Sequence, residues 1–338
     1  MKKIIKNKLS FLLLLLLTLL VLYFSLKDDF HNVIHELRTV NIWWLLVAFF
    51  LTISYYILSS IGLHRIIRNY NKDFTLWETI KLKFKTKFFD CVTPTSTGGQ
   101  PYQIYSLTSQ GISVLDSTNI CLQNFVVFQF ALVLIGIMAV GTNQFLHLFP
   151  ENNFLKILVF VGFIINLSIA LFLFSIVFTK KINQFLYRKV FNLALKLHII
   201  KVDEKINKMY NEYVKNVQRG TTSLMKNKKQ FFFILCLNFI GLFLNYLVPL
   251  AILYSTGDYH SFGPFECVIA SAYVLLMGSF IPLPGGTGGL EFGFVSFFGN
   301  FLTGSKLTAL MLLWRFVTYY FVMIVGAVVL NVRKGEKI

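Results

Sequence analysis

The chain has 338 residues, of which 56% are hydrophobic and 14% are charged, and its mean hydropathy is +0.66. Soluble domains carry roughly 25% charged residues, so this composition excludes an ordinary soluble enzyme or binding domain. The formal net charge is +17, but the cations cluster between long apolar runs, so we expect cytoplasmic loops of a membrane protein and no nucleic-acid partner.

Six apolar runs predict an all-α polytopic membrane protein. Each is close to the roughly 20 residues that a helix needs to cross a bilayer. The first run follows a basic N-terminus and lacks a small-residue cleavage site, so we expect an uncleaved span rather than a signal peptide. The predicted spans are 9–26, 40–62, 118–142, 154–179, 230–254 and 306–331.

Charges between the spans predict how the chain is oriented. Four lysines precede the first span, seven Lys and Arg residues lie in 64–87, and further basic residues follow the last span. By the positive-inside rule these segments are cytoplasmic, whereas 143–153, which has no Lys or Arg, lies outside. We therefore expect a multi-pass protein of the cell membrane with both termini inside.

The segment 180–229 is the most basic part of the chain, and its apolar residues recur every three or four positions. This pattern predicts an amphipathic cytoplasmic helix. It could lie on anionic lipid of the inner leaflet, or it could pack on the bundle as a connector. We expect one membrane domain over 1–338, with a first half at 1–179 and a second half at 230–338.

Two further apolar regions, 80–107 and 264–303, are interrupted by the shared pattern P-x-x-T-G-G. The two copies are PTSTGG at 94–99 and PGGTGG at 284–289. The charge pattern makes each region begin and end on one side of the membrane, so we predict two re-entrant broken helical hairpins. Because helix, hairpin and helix recur with opposite orientation, the sequence also predicts an inverted repeat, as in secondary transporters.

The residues at the two breaks predict a cavity for a charged lipid headgroup. Backbone that leaves a helix at membrane depth must be buried in protein or line a wet cavity, and N–H groups that begin half-helices suit phosphate. Ordinary kinks that let helices pack are the alternative. The candidate substrate-binding residues are Thr93, Pro94, Thr95, Ser96, Thr97, Gly98, Gly99 and Gln100 at the first break, and Pro282, Pro284, Gly285, Gly286, Thr287, Gly288, Gly289 and Glu291 at the second.

Arg315 completes the candidate site. It lies nine residues into the last predicted span, which places it roughly 14 Å deep. Charges within a membrane are costly and are usually functional and paired. We expect Arg315 to pair with Glu291 or to face a lipid phosphate, and a purely structural ion pair is the alternative. No metal ligand is expected, because the four cysteines are scattered and form no CxxC motif. We also expect no cofactor and no catalytic residue, because the sequence contains no nucleotide-binding motif and the basic segment 180–229 lacks a carboxylate pair or a nucleophile–base set.

The stretches TPTSTGGQPYQIYSLTSQGIS (93–113) and PLPGGTGGLEFGF (282–294) resemble the flippase-like integral membrane family, also called the lysylphosphatidylglycerol synthetase transmembrane region. The resemblance extends over essentially the whole chain. It implies translocation of an aminoacylated lipid between leaflets, whereas lysyl transfer from tRNA belongs to a soluble domain of bifunctional members, which we expect this chain to lack. Many relatives have an acidic residue where Gln100 stands, which bears on the choice of substrate.

These observations predict a lipid flippase or lipid-transport protein for a phospholipid, an aminoacylated lipid or a glycosylated lipid, and not an enzyme. Two alternatives stay open. One is a membrane component of phosphatidylglycerol lysyltransferase, the aminoacyl-lipid synthesis tied to antimicrobial-peptide resistance, and the other is a scaffold for a lipid-modifying enzyme. The expected partners are the lipid substrate, anionic inner-leaflet lipid, and either a lipid-modifying enzyme or a second copy of the chain as a homo-oligomer.

Overall fold

The computed structural model describes residues 30–93, 96–149, 153–178, 227–278 and 286–331, and these residues form helices and no strand. The predicted all-α fold is confirmed for this part of the chain. The helices are α1 (Phe30–Arg38), α2 (Ile42–Ile67), α3 (Leu76–Val92), α4 (Gly99–Ser109), α5 (Val114–Leu146), α6 (Asn153–Phe178), α7 (Lys228–Tyr246), α8 (Val248–Ser255), α9 (Pro264–Gly278), α10 (Gly289–Phe298), α11 (Gly304–Arg315) and α12 (Phe321–Asn331). A π turn, Phe316–Tyr320, joins α11 and α12 into one continuous helix.

Among the residues that the structure describes, five helical stretches are long and apolar enough to cross a membrane. They correspond to five of the six predicted spans, whose helical character is thereby confirmed. The predicted span 9–26 and most of the predicted connector 180–229 lie outside the described residues. The five stretches are Ile42–Ile67, Val114–Leu146, Phe154–Leu173, Lys228–Ser255 and Gly304–Asn331.

Helix α3 begins earlier than the hydropathy of the sequence indicates, because a reciprocal cap fixes its first turn. The Thr75 hydroxyl accepts from the Glu78 backbone N–H at 3.2 Å, and the Glu78 carboxylate accepts from the Thr75 N–H at 2.8 Å. This arrangement satisfies two N–H groups that the first turn otherwise leaves unpaired. The helix thus begins four residues before the predicted apolar region 80–107, and only 68–75 separate α2 from α3.

Both interrupted regions fold as antiparallel helical hairpins. In the first hairpin, α3 packs on α4, and the rings of Phe89 and Tyr102 are stacked with centroids 4.3 Å apart. In the second, α9 packs on α10 so closely that a Cβ at Gly293 would lie 2.8 Å from the Met277 methyl group and 3.4 Å from the Val274 Cα. The helix breaks predicted at the two glycine motifs are therefore confirmed.

The two halves of the chain pack on each other in a reciprocal way. Helix α2 crosses α7, and a Cβ at Gly62 would lie 3.0 Å from Ile234 while one at Gly241 would lie 3.2 Å from Tyr55. Helix α5, which follows the first hairpin, packs on α9 of the second hairpin. Helix α12, which follows the second hairpin, packs on α3 of the first. Each hairpin is thus held by the helix that follows the other one.

Candidate functional site

A buried ion pair joins the second hairpin to the last span. The Arg315 Nε donates to Glu291 Oε1 at 2.6 Å, and both side chains are more than nine-tenths buried. Arg315 lies eleven residues after the start of α11, or about 16 Å along the helix axis. The predicted pairing of these two residues is confirmed. Removing either partner of such a pair would leave an uncompensated charge in the low-dielectric interior and would destabilise the fold.

The backbone of the second break places Glu291 for this contact. Gly288 has φ +87°, in the region that favours glycine, and directly precedes the first residue of α10. Its N–H donates to Glu291 Oε2 at 2.7 Å. One carboxylate oxygen therefore satisfies the start of a helix while the other binds the guanidinium, so the orientation of Glu291 is fixed from two sides.

The first break is held by side chains that take the place of helical backbone bonds. The Thr93 hydroxyl donates to the Phe89 carbonyl at 2.7 Å and accepts from the Gly98 N–H at 2.8 Å. Asp90 accepts from the Gly99 N–H at 2.9 Å, so α3 caps the start of α4. A Cβ at Gly99 would overlap the Asp90 carboxylate. Position 99 of the motif must therefore be glycine, because any larger residue would displace the Asp90 carboxylate that caps α4.

Between the hairpins lies a cavity of about 220 Å³, called the hairpin cavity below. It is bounded by α2, α3, α5, α7, α9 and α10 and by the α11–π-turn segment, and two of its lining residues are cations, Lys87 and Arg315. Hydroxyl and amide groups supply much of the remaining polar surface. These polar lining residues include Tyr55, Tyr56, Asn245, Ser271, Thr318 and Tyr319.

Tyr319 of the π turn links the ion pair to the first hairpin. Its hydroxyl donates to the Cys91 carbonyl at 2.9 Å, one residue before the end of α3. The Arg315 guanidinium carbon lies 5.2 Å from the Tyr319 ring centroid and 5.5 Å from that of Trp314. Such distances allow a cation–π attraction, which is strongest where water is excluded. The chain of contacts from Glu291 through Arg315 and Tyr319 to Cys91 therefore connects both hairpins.

Lys87 is the functional candidate that the sequence analysis missed. It was counted among the basic residues of 64–87, but it lies on α3, is half-buried and lines the hairpin cavity. The spacing of the charged residues around Lys87 in the sequence would have distinguished it from the other lysines. Lys83, Lys87 and Asp90 stand at i, i+4 and i+7 on one helical face, whereas Lys85, which lies between the two lysines, falls on another face.

The predicted site residues that the structure describes fall into three groups. Arg315 lines the hairpin cavity, and Glu291 holds Arg315 from the adjacent hairpin. Thr93, Gly98 and Gly99 stabilise the first break, Gly286, Thr287 and Gly288 directly precede α10, and Gly289 is its first residue. Ser96, Thr97 and Gln100 are exposed at the first break and are not among the cavity-lining residues. Pro94, Thr95, Pro282, Pro284 and Gly285 lie outside the described residues.

The substrate-binding role of these residues stays a prediction, because their positions alone do not identify a ligand. Among the described residues, no group of three or more His, Cys, Asp and Glu side chains could hold a metal ion. The chemistry that the cavity offers is therefore that of cations, hydroxyls and aromatic rings around a small buried space. This set of groups suits a phosphate or another compact anion.

Two comparisons with known proteins agree with this architecture. The sequence model of the family described as "Lysylphosphatidylglycerol synthase TM region" matches residues 10–326 of this chain. A "UPF0104 membrane protein" of Archaeoglobus fulgidus is 21% identical over 298 residues, which cover 87% of this chain and 88% of that protein. The family match over residues 10–326 includes the two hairpins and Arg315.

Proposed function

Because the chain belongs to the lysylphosphatidylglycerol synthase transmembrane-region family, we propose that it moves a phosphate-bearing lipid between the two leaflets of the cell membrane. The observation that carries this proposal is the hairpin cavity with its two cations, Lys87 and Arg315. A cation at membrane depth is costly unless it has a partner or a function. Glu291 pairs with Arg315, and Asp90 lies on the same face of α3 as Lys83 and Lys87. These three cations outnumber the two carboxylates, which favours an anionic headgroup.

The size of the cavity favours a headgroup over a whole lipid. Pockets for drug-sized ligands hold roughly 300–1,000 Å³, and the hairpin cavity measures about 220 Å³. Acyl chains would therefore stay in the bilayer while the phosphate lies between Lys87 and Arg315.

The reciprocal packing supports an inverted repeat of two re-entrant hairpins. In this arrangement α2 with the α3–α4 hairpin and α5 forms one unit, and α7–α8 with the α9–α10 hairpin and α11–α12 forms the other. The exchange of partners between α12 and α3 and between α5 and α9 is what a pseudo-two-fold axis in the membrane plane would give. Transporters built this way place the substrate near mid-membrane, between the repeats. Both termini then lie in the cytoplasm, in keeping with the positive-inside rule.

Reconstituted vesicles test the proposal. The full chain should make a headgroup-labelled anionic phospholipid of the inner leaflet accessible to a membrane-impermeant quencher faster than in protein-free vesicles. Rates equal to those of protein-free vesicles would contradict the proposed function. No covalent change of the lipid is proposed, so lipid extracts from expressing cells should contain no new lipid species. A new aminoacylated or glycosylated species would favour the alternative, a lipid-modifying enzyme.

The Lys87→Gln variant tests whether Lys87 binds the lipid phosphate during translocation. We expect translocation to be slower by at least about tenfold, because a hydrogen bond to a charged group contributes roughly 1.5–3 kcal/mol. Lys85→Gln is the matched control, since Lys85 is on the same helix but does not line the cavity. Equal rates for the two variants, with equal amounts of folded protein, would show that Lys87 takes no part in transport.

A further inference from the structure

A second polar pocket lies where the C-terminal end of α2 meets the N-terminal end of α7. Its volume is about 510 Å³, and it shares no described lining residue with the hairpin cavity. Four cationic side chains line it: Arg65, Arg68, Lys72 and Lys229. It is called the basic pocket below, and nothing in the proposed transport mechanism uses it.

The positive charges of the basic pocket are not neutralised by the part of the chain that the structure describes. Among the described residues, no carboxylate oxygen lies within 4.0 Å of any of the four charged groups. Like charges gathered around one pocket repel each other, although exposure to water weakens this repulsion. An anion in the pocket would relieve it. The four cations therefore indicate a ligand that carries more than one negatively charged oxygen.

Contacts between α2 and α7 fix the shape of the basic pocket in advance. The Gln230 amide donates to the Arg65 carbonyl at 3.0 Å, and it accepts from the Asn69 amide at 3.4 Å. The guanidinium carbon of Arg65 lies 5.6 Å from the centroid of the Phe233 ring, which restrains the cation. Asn227 caps α7 by accepting from the Gln230 N–H at 3.0 Å. Groups held in place before binding lose less entropy when a ligand arrives.

An exposed apolar stripe continues from the basic pocket along α7. The stripe consists of Phe233, Cys236 and Ile240, which follow Lys229 of the pocket at i+4, i+7 and i+11 on one face of α7. All four residues are exposed. Phe233 lines the pocket and is also 44% exposed. A soluble phosphate would use the cations but not this stripe. A phospholipid would use both, with its phosphate in the pocket and an acyl chain along α7.

We propose that the basic pocket binds the phosphate of an anionic phospholipid at the cationic end of the bundle. This lipid is held at the interface between α2 and α7 and is not the one translocated. Basic pockets between transmembrane helices on the cytoplasmic side are known to suit anionic headgroups. The site is independent of the hairpin cavity, so it stands even if the proposed transport function fails.

Native mass spectrometry of the full chain in detergent tests the site, with phosphatidylglycerol and zwitterionic phosphatidylcholine as lipid probes. The Arg65→Gln/Arg68→Gln variant should bind phosphatidylglycerol about thirtyfold more weakly, since two interfacial cations are removed. Lys81→Gln/Lys85→Gln is the matched control, because it removes two charges from α3 that do not line the basic pocket. The control should retain the lipid.

The outcomes separate this site from general electrostatic attraction. Equal losses in the test and control variants, or retention by both, would overturn the proposal. Equally strong binding of phosphatidylcholine would indicate ordinary boundary lipid and would also overturn it. Full displacement of the lipid by millimolar pyrophosphate would identify a soluble phosphate ligand instead. If Arg65→Gln/Arg68→Gln does not fold, Lys72→Gln/Lys229→Gln replaces it, because both of those lysines are exposed.

Discussion

Replacing Arg315 by methionine will lower the free energy of unfolding by about 3–5 kcal/mol, because it leaves the Glu291 carboxylate buried without its cation. The double variant Glu291→Gln/Arg315→Met will recover most of this loss, since the glutamine is neutral and can still accept from the Gly288 N–H. Transport will be lost in both variants. Thermal unfolding of the detergent-solubilised protein measures the first effect, and the vesicle assay measures the second.

The double variant separates a structural pair from a functional one. If Arg315 only stabilises the fold, the double variant will recover both stability and translocation. If Arg315 binds the lipid phosphate, stability will return while translocation stays absent. Lys306→Met is the matched control, because Lys306 is an exposed cation on the same helix. A single Arg315→Met variant as stable as the native chain would contradict the role of the buried pair.

Replacing Gly326 by alanine will destabilise the chain by about 1–3 kcal/mol, the usual range for an overpacked contact. A Cβ at this position would lie 2.5 Å from the Phe84 carbonyl oxygen and 2.9 Å from the Phe88 Cβ. Because the first of these is a backbone atom, α12 must move away from α3. Lys87 lies between Phe84 and Phe88 in the chain, so the same displacement will slow translocation.

Gly141→Ala is the control for this prediction. Gly141 lies within the span Val114–Leu146, and a Cβ there would meet no atom within 4 Å. Alanine favours a helix over glycine by about 1 kcal/mol, so this variant should be unchanged or slightly more stable. Thermal unfolding of the two variants side by side gives the comparison. Equal stabilities would rule out close α3–α12 packing as a constraint on the fold.

Hydropathy and the glycine motifs predicted much of the fold, because both leave a direct trace in the order of residues. Apolar runs of the required length predicted the described spans, and Pro-Gly clusters predicted the two helix breaks. The start of α3 was missed because it depends on a local cap between Thr75 and Glu78, which the hydropathy pattern does not reveal. The packing of α12 on α3 was not predicted, because residues far apart in sequence meet there.

The sequence predicted the charged pair but only part of the cavity around it. Arg315 and Glu291 were conspicuous because charges are rare in apolar segments. Lys87 was not, because it stands among other lysines and only the helical face distinguishes it from Lys85. The first-break residues were predicted to contact substrate, whereas Thr93 and Gly99 mainly hold the turn. A motif indicates where the backbone bends, but it does not indicate which side chains the bend brings together.

The π turn after Arg315 has a consequence for helix register. A π turn accommodates about one more residue than an α-helical turn, and each residue of an α-helix rotates the chain by about 100°. If Phe316–Tyr320 were wound as an ordinary α-helix, every side chain of α12 would be rotated by about that angle relative to Arg315. Gly326 would then no longer face Phe84, so the π turn allows one continuous helix to present Arg315 to the cavity and Gly326 to the first hairpin.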